Sequence, residues 1–184
     1  MTSGDALPLY PFRRAIALPE QHVLFIPTPK TGCTTILWHL AVDVIGLSPK
    51  AFQSAMATEV TASLSIHSRR HWPAENVPDP TAVQQTIRDG WAWVTVVRDP
   101  FRRLWSGWQS KILLEEPYFI RRFRREDWYP REVSSAAGIR DAFREFVAAL
   151  GGDDVPHDLH WASQFDYLRP DLVPYTHIGR TERL

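Results

Sequence analysis

Lys30 stands in the stretch "PTPKTGCTT" (27–35), followed at once by Gly32 and the hydroxyls of Thr31, Thr34 and Thr35. An apolar run, "HVLFI", precedes this stretch, and "ILWHLAVDVIG" follows it. That is the layout of a strand, a loop and a helix. The first amides of a helix lack intrahelical acceptors and lie at the positive end of its dipole, so they attract anions. Gly32 lets the backbone approach closely. Lys30 adds a full charge, and Thr34 and Thr35 add hydroxyl donors. The order is not that of a nucleoside-triphosphate loop: G-x-x-x-x-G-K-[ST] is absent, and the lysine precedes the glycine. An ordinary strand–turn–helix corner with a threonine cap has the same layout, so the loop alone does not decide between the two.

A second group sharpens the choice. In "VVRDPFRRLWSGW" (96–108), Arg98 ends an apolar run, and Asp99 and Pro100 form a helix start. Arg102 and Ser106 are four apart on that helix and share a face. Arginine with a hydroxyl is an anion site of planar, two-pronged geometry. Ligands of open α/β sheets sit outside the carboxyl ends of strands. Two such sites at two strand ends suit a ligand carrying two separated phosphate-type groups; a solvated, arginine-rich helix start is the plain alternative.

The elements that must position these groups follow from periodicity. "HVLFIP" (22–27) fits a buried parallel strand, and "TTILWHLAVDVIG" (34–46) fits a helix ended by Gly46. "FQSAMATEVTASLSIHS" (52–68) reads as a helical turn and then a strand ending near Ile66. A short helix is expected from about Thr81 to a stop at Asp89 and Gly90. "WAWVTVV" (91–97) is the clearest strand, and 99–116 the helix after it. Residues 118–132 read as a basic, aromatic surface segment. Residues 136–152 carry Ile139, Phe143, Phe146, Val147 and Leu150 on one helical face. "LVPYTHIG" (172–179) fits another short strand, and residues 1–21 an irregular arm. Strands alternating with helices define an α/β layer fold with a mainly parallel sheet.

Composition sets outer bounds. The 184 residues suit one domain, and 21 basic against 21 acidic side chains advertise neither nucleic acid nor an anionic membrane. No apolar stretch is long enough for a membrane span. The amino terminus lacks the pattern of a secretory signal. A single cysteine, Cys33, fits a reducing compartment, and the expectation is a cytoplasmic protein. The 18 arginines against 3 lysines fit a GC-rich, bacterial genome. The pairs His67/His71 and His157/His160 have spacings that a metal tolerates, but no supporting cysteine or H-E-x-x-H pattern accompanies them, and no metal is expected. Arg121, Arg122, Arg124, Arg125 and Arg131, with Phe123, Trp128 and Tyr129, form either a solvated face or a contact surface for an anionic or sugar acceptor.

"FIPTPKTGCTTI" and "VTVVRDPFRRLWSGW" resemble the two donor signatures of sulfotransferases that use 3′-phosphoadenosine-5′-phosphosulfate, in particular the carbohydrate (Golgi-type) branch and its bacterial relatives. Arg98, Asp99, Pro100, Phe101, Arg103, Leu104, Ser106 and Trp108 match the second signature. A third stretch, "DLHWASQ", matches the family's D-x-H-W-x-x-Q at Asp158, His160, Trp161 and Gln164. "GRTE" matches its G-[KR]-x-E at Gly179, Arg180 and Glu182.

The resemblance implies a three-layer α/β/α sandwich with a central parallel sheet and a P-loop-like cradle. Lys30, Thr31, Gly32, Cys33, Thr34 and Thr35 would hold the 5′-phosphosulfate, and Arg98 and Ser106 the 3′-phosphate. Lys30 would also stabilise charge on the bridging oxygen, with no metal. Transfer to a hydroxyl needs a base; His67 is the first choice, with His160 and Glu59 in reserve. The acceptor implied is a carbohydrate or glycosylated small molecule. The oligomeric state stays open, a homodimer included. Two departures stand out. Cys33 replaces the family's usual small residue: the plain reading is a small residue that fits, and the alternative is a redox-sensitive thiol whose pKa falls at the helix start. The chain also ends earlier than family members do, as a compact or truncated form. Two rivals remain: a small-molecule kinase of P-loop type, and a non-catalytic nucleotide-binding or interaction protein that retains the cradle.

Overall fold

The structure, a computed structural model, describes residues 12–50, 52, 66–131, 133–152 and 157–184. The chain divides into two compact units: Met1–Arg98 together with Gln164–Leu184, and Asp99–Ser163.

The described strands of the first unit form one sheet in the order β1 (Ile16–Leu18), β2 (Val23–Ile26), β3 (Ala92–Val97), β4 (His177–Arg180). β2 and β3 run parallel, with Ile26 opposite Thr95. β3 and β4 also run parallel, with Val97 opposite Arg180. β1 is antiparallel to β2, with Ile16 opposite Phe25. The sheet is therefore mixed, and β1 falls inside the stretch expected to be an irregular arm. Three buried residues are too few to show a period in the sequence; their pairing with β2 makes them a strand.

Helix α1 (Cys33–His39) leaves the loop after β2 and runs on into a π turn at Leu40–Val44. Its buried Leu37 and Ala41 pack with Ile16, Leu18, Phe25, Phe52, Ile66, Trp72 and Val96. Helix α2 (Pro80–Arg88) is capped by Asp79, whose carboxylate accepts the Ala82 N–H at 2.8 Å. It delivers the chain to β3. Most of the strand expected before Ile66 lies outside the described residues; Ile66 and His67 themselves are helical. Helix α6 (Gln164–Leu168) precedes β4.

The second unit begins with α3 (Pro100–Trp108), capped as the sequence indicates: the Asp99 carboxylate accepts the Arg102 N–H at 2.9 Å. Helices α4 (Pro117–Phe123) and α5 (Ala136–Gly151) follow. Trp108, Ile112, Phe119, Phe123, Trp128, Tyr129 and Phe146 form the core of this unit. Residues 118–132 are thus only half surface. Arg121, Arg122, Arg124, Arg125 and Arg131 are exposed, but Phe123, Trp128 and Tyr129 turn inward and belong to the interior. The reason is helical: α4 buries Phe119 and Phe123, four apart, and leaves the arginines between and after them outside. On α5 the buried stripe is Ala142, Phe146 and Ala149, while Val147 lies one residue off it and is 40% exposed.

Candidate functional site

The parallel strands β2, β3 and β4 end at one edge of the sheet, and the residues that follow them there are Lys30, Arg98 and Thr181. This is the edge where α/β proteins bind ligands. The loop after β2 is pinned from inside. Thr95 Oγ1 donates to the Ile26 carbonyl at 2.8 Å and lies 3.1 Å from Thr28 Oγ1. Thr31 Oγ1 donates to the Thr28 carbonyl at 2.9 Å, and Tyr167 donates its phenol proton to the Pro27 carbonyl at 3.0 Å. Thr181 Oγ1 lies 2.9 Å from the Thr31 carbonyl and 3.2 Å from that of Val97, so it bridges the loop to the end of β3.

Within this frame the backbone turns left-handed twice, at Lys30 (φ 69°) and Gly32 (φ 79°). Glycine adopts that conformation without steric cost; lysine does not, and the surrounding bonds hold it there. Such alternation turns successive N–H groups toward one concavity suited to an anion. Thr31 is buried and its hydroxyl bonds inward, so any contact it makes with an anion is through its N–H.

Arg98 joins the second sequence group to this loop. Its Nη1 donates to the Lys30 carbonyl at 3.2 Å. Its backbone is held by one side chain: the Arg98 N–H donates to Gln164 Oε1 at 2.9 Å, and Gln164 Nε2 donates to the Arg98 carbonyl at 2.8 Å. The Lys30 loop and Arg98 are therefore in direct contact, 68 residues apart in the chain.

His67 also reaches the loop. Its Nε2 lies 2.9 Å from Thr34 Oγ1, and both groups are partly buried. Beside them is a small cavity of about 20 Å³, lined by Arg14, Pro29, Cys33, His67, Arg69 and Trp72 among others. Arg69 is fixed by donating to the carbonyls of Arg13 and Pro78. At Cys33 the structure goes against the redox alternative. Burial pushes its thiol up, and this outweighs the downward pull of the Lys30 and Thr34 backbone and of the Lys30 and Arg14 charges. At neutral pH it is a thiol, the small space-filling residue of the plain reading rather than a reactive thiolate.

Ser106 sits half-buried on the second turn of α3 in the second unit. His160 belongs to that unit too, and its ring is already engaged: Nδ1 lies 2.6 Å from Asp158 Oδ1, and the ring meets Phe119 edge-on. Burial raises the Asp158 carboxyl, but the His160 hydrogen bonds and the charges of His160 and Arg122 outweigh it and hold the carboxyl below its usual range. Arg103, matched to the family signature, is buried and donates to the carbonyls of Leu159 and Ala162, so it ties α3 to the D-x-H-W stretch. Glu59 lies outside the described residues. Tyr167, Thr181 and Thr95 carry no sequence signal as site residues; each acts by bonding a backbone group far away in the chain. Gln164 was legible only as a letter in a motif.

A lysine, an arginine and hydroxyls thus lie together at the strand ends of a mixed α/β sheet, the edge where α/β proteins bind ligands. Comparison with known proteins is more specific. The model of the family described as "Sulfotransferase family" matches residues 13–184, and the chain belongs to that family. Among curated relatives, carbohydrate sulfotransferase 12 of Mus musculus is 31% identical over 204 residues, covering 99% of this chain and 48% of the relative. Carbohydrate sulfotransferase 10 of Danio rerio is 24% identical over 198 residues, covering 93% of this chain and 49% of the relative. The human carbohydrate sulfotransferase 10 is 24% identical over 194 residues, with the same coverage. The chain thus spans about half the length of the curated relatives it matches. No solved structure matches it.

Proposed function

We propose that this chain moves a sulfuryl group from 3′-phosphoadenosine-5′-phosphosulfate to a hydroxyl of a carbohydrate or glycosylated small molecule. The observation that carries the reading is the contact of Arg98, from the second donor signature, with the Lys30 carbonyl of the first. The loop amides around Gly32, with Thr34 and Thr35, would hold the 5′-phosphosulfate; Arg98 and Ser106 are assigned to the 3′-phosphate by their match to the family signature. The donor, once bound, supplies an activated sulfur whose leaving group is a phosphate oxygen. Lys30 places positive charge at that oxygen, where negative charge grows as transfer proceeds. His67 accepts the proton of the attacking hydroxyl. It is chosen over His160 because it touches the donor loop. Lysine and amides do here what a metal does in kinases.

The three-layer sandwich belongs to the same proposal, supported by the three parallel strands β2–β4 and the helices that join them. So does a cytoplasmic, bacterial setting, which rests on the single cysteine and the arginine bias.

The test is binding and then transfer. 3′-Phosphoadenosine-5′-phosphate binds without Mg²⁺, and ATP does not compete. Sulfate transfer from the labelled donor to a panel of sugars falls by two orders of magnitude or more in His67→Ala, a range typical of losing a general base, while donor binding is not weakened. Tight, Mg²⁺-dependent ATP binding sinks the proposal.

A further inference from the structure

Thr34 and His67 are assigned to different halves of the reaction, one to the donor and one to the acceptor. Their side chains are nonetheless bonded to each other, at 2.9 Å between residues 33 apart in the chain. A threonine hydroxyl has a single proton, and it is the donor of this pair when the His67 proton is on Nδ1, the tautomer that a base acting through Nε2 requires. If it goes to His67 Nε2, it does not go to an anion in the loop; if it goes to the anion, the Nε2 lone pair is released. A histidine that takes a proton through Nε2 must have that lone pair available.

We propose that Thr34 is a coupling residue: its one proton is contested between His67 Nε2 and the donor's 5′-phosphosulfate, so donor binding releases the base. The inference rests on the sulfotransfer reading above. It makes base activation conditional on a filled donor loop, and it places the control in a residue that touches both partners. Among the described residues, the other charged or thiol groups lining the adjacent cavity, Arg14, Cys33 and Arg69, do not supply the same exchange. Arg69 donates to two backbone carbonyls, an arginine has no acceptor to exchange, and burial holds Cys33 as a thiol.

The consequence is unusual enough to test. Removing the histidine should strengthen donor binding, because Thr34 then gives up nothing to bind the anion. Titrating the whole chain with 3′-phosphoadenosine-5′-phosphate by calorimetry at pH 8, His67→Ala binds about threefold to tenfold tighter than wild type, the equivalent of one neutral hydrogen bond. In a Thr34→Ala background the same histidine change has no effect, and the double-mutant cycle shows the full coupling. If His67→Ala does not fold, the wild-type ring decides. On titration its ¹⁵Nε2 resonance shifts as the Thr34 hydrogen bond is lost, and this change is absent in Thr34→Ala. A histidine variant that binds equally or more weakly, or an Nε2 resonance that does not respond, overturns the inference alone. Failure of the wild type to bind the nucleotide overturns the donor reading, and the inference with it.

Discussion

The Gln164 carboxamide makes both hydrogen bonds of the Arg98 peptide groups, accepting from the N–H at 2.9 Å and donating to the carbonyl at 2.8 Å. One side chain thereby substitutes for a neighbouring strand at the point where β3 ends and Arg98 must hold its position toward the Lys30 loop.

Replacing Gln164 with Leu leaves both Arg98 backbone groups without that partner. The cost is about 1–3 kcal/mol, read as a lower denaturation midpoint in urea at unchanged slope. Nucleotide affinity falls in parallel, because Arg98 is no longer fixed. Gln164→Glu keeps the acceptor and loses the donor, so it falls between wild type and Leu. A Leu variant with wild-type midpoint and affinity would show that the clamp has no positioning role.

Gly107 tests how closely α3 approaches the D-x-H-W stretch. A Cβ there would lie 2.7 Å from the His160 carbonyl oxygen, a backbone atom that cannot swing away. Gly107→Ala is expected to destabilise by about 1–3 kcal/mol, despite the ~1 kcal/mol that alanine gains over glycine inside a helix. Gly151→Ala, where the added Cβ meets nothing within 4 Å, is the matched control and is expected to be neutral or stabilising. Thermal melts of the pair separate overpacking from propensity.

Asp158 gives the second unit an acid-sensitive contact. Its carboxyl is held below the usual range in the folded chain, chiefly by the His160 hydrogen bonds acting against burial. The folded form therefore binds its proton less readily than the unfolded form. The resulting stability is fully present above about pH 4 and is lost as pH falls through the lowered value. Asp158→Asn should be less stable than wild type at pH 7 and should lose less of its stability on going to pH 3. Urea midpoints measured across that range check it; parallel curves would refute it.

Cys33 should react slowly. Because burial raises its thiol, the reactive thiolate is scarce at pH 7. Alkylation by iodoacetamide is expected to be slower than for a free cysteine peptide and to accelerate in urea, with mass spectrometry as the readout. Rapid modification of the folded chain would restore the redox reading.

Much of the fold was legible because its signals are local. Asp99-Pro100 marked a helix start that the Asp99 carboxylate caps, and the apolar runs before Lys30 and Arg98 marked β2 and β3. What escaped was either too short or non-local. β1 is three residues long, and only pairing with β2 makes it a strand. Phe123, Trp128 and Tyr129 stand among arginines, and a one-dimensional reading cannot separate the face that turns inward from the face that does not.

The sequence by itself determined the chemistry available: a lysine–glycine–threonine loop, an arginine after a strong strand, and motifs ordered as in the sulfotransferase family, which the family match over residues 13–184 bears out. Those facts are carried by residue type and spacing. Only the tertiary structure decided which of these groups meet. Arg98 touches the Lys30 carbonyl, Thr181 bridges Thr31 and Val97, and His67 meets Thr34 rather than standing apart from the donor loop. It also decided that Cys33 is held as a thiol, because burial outweighs the neighbouring positive charge. Each of these depends on distances between segments tens of residues apart, and on how much water the packed sheet edge excludes. Neither quantity is written in the local order of the residues.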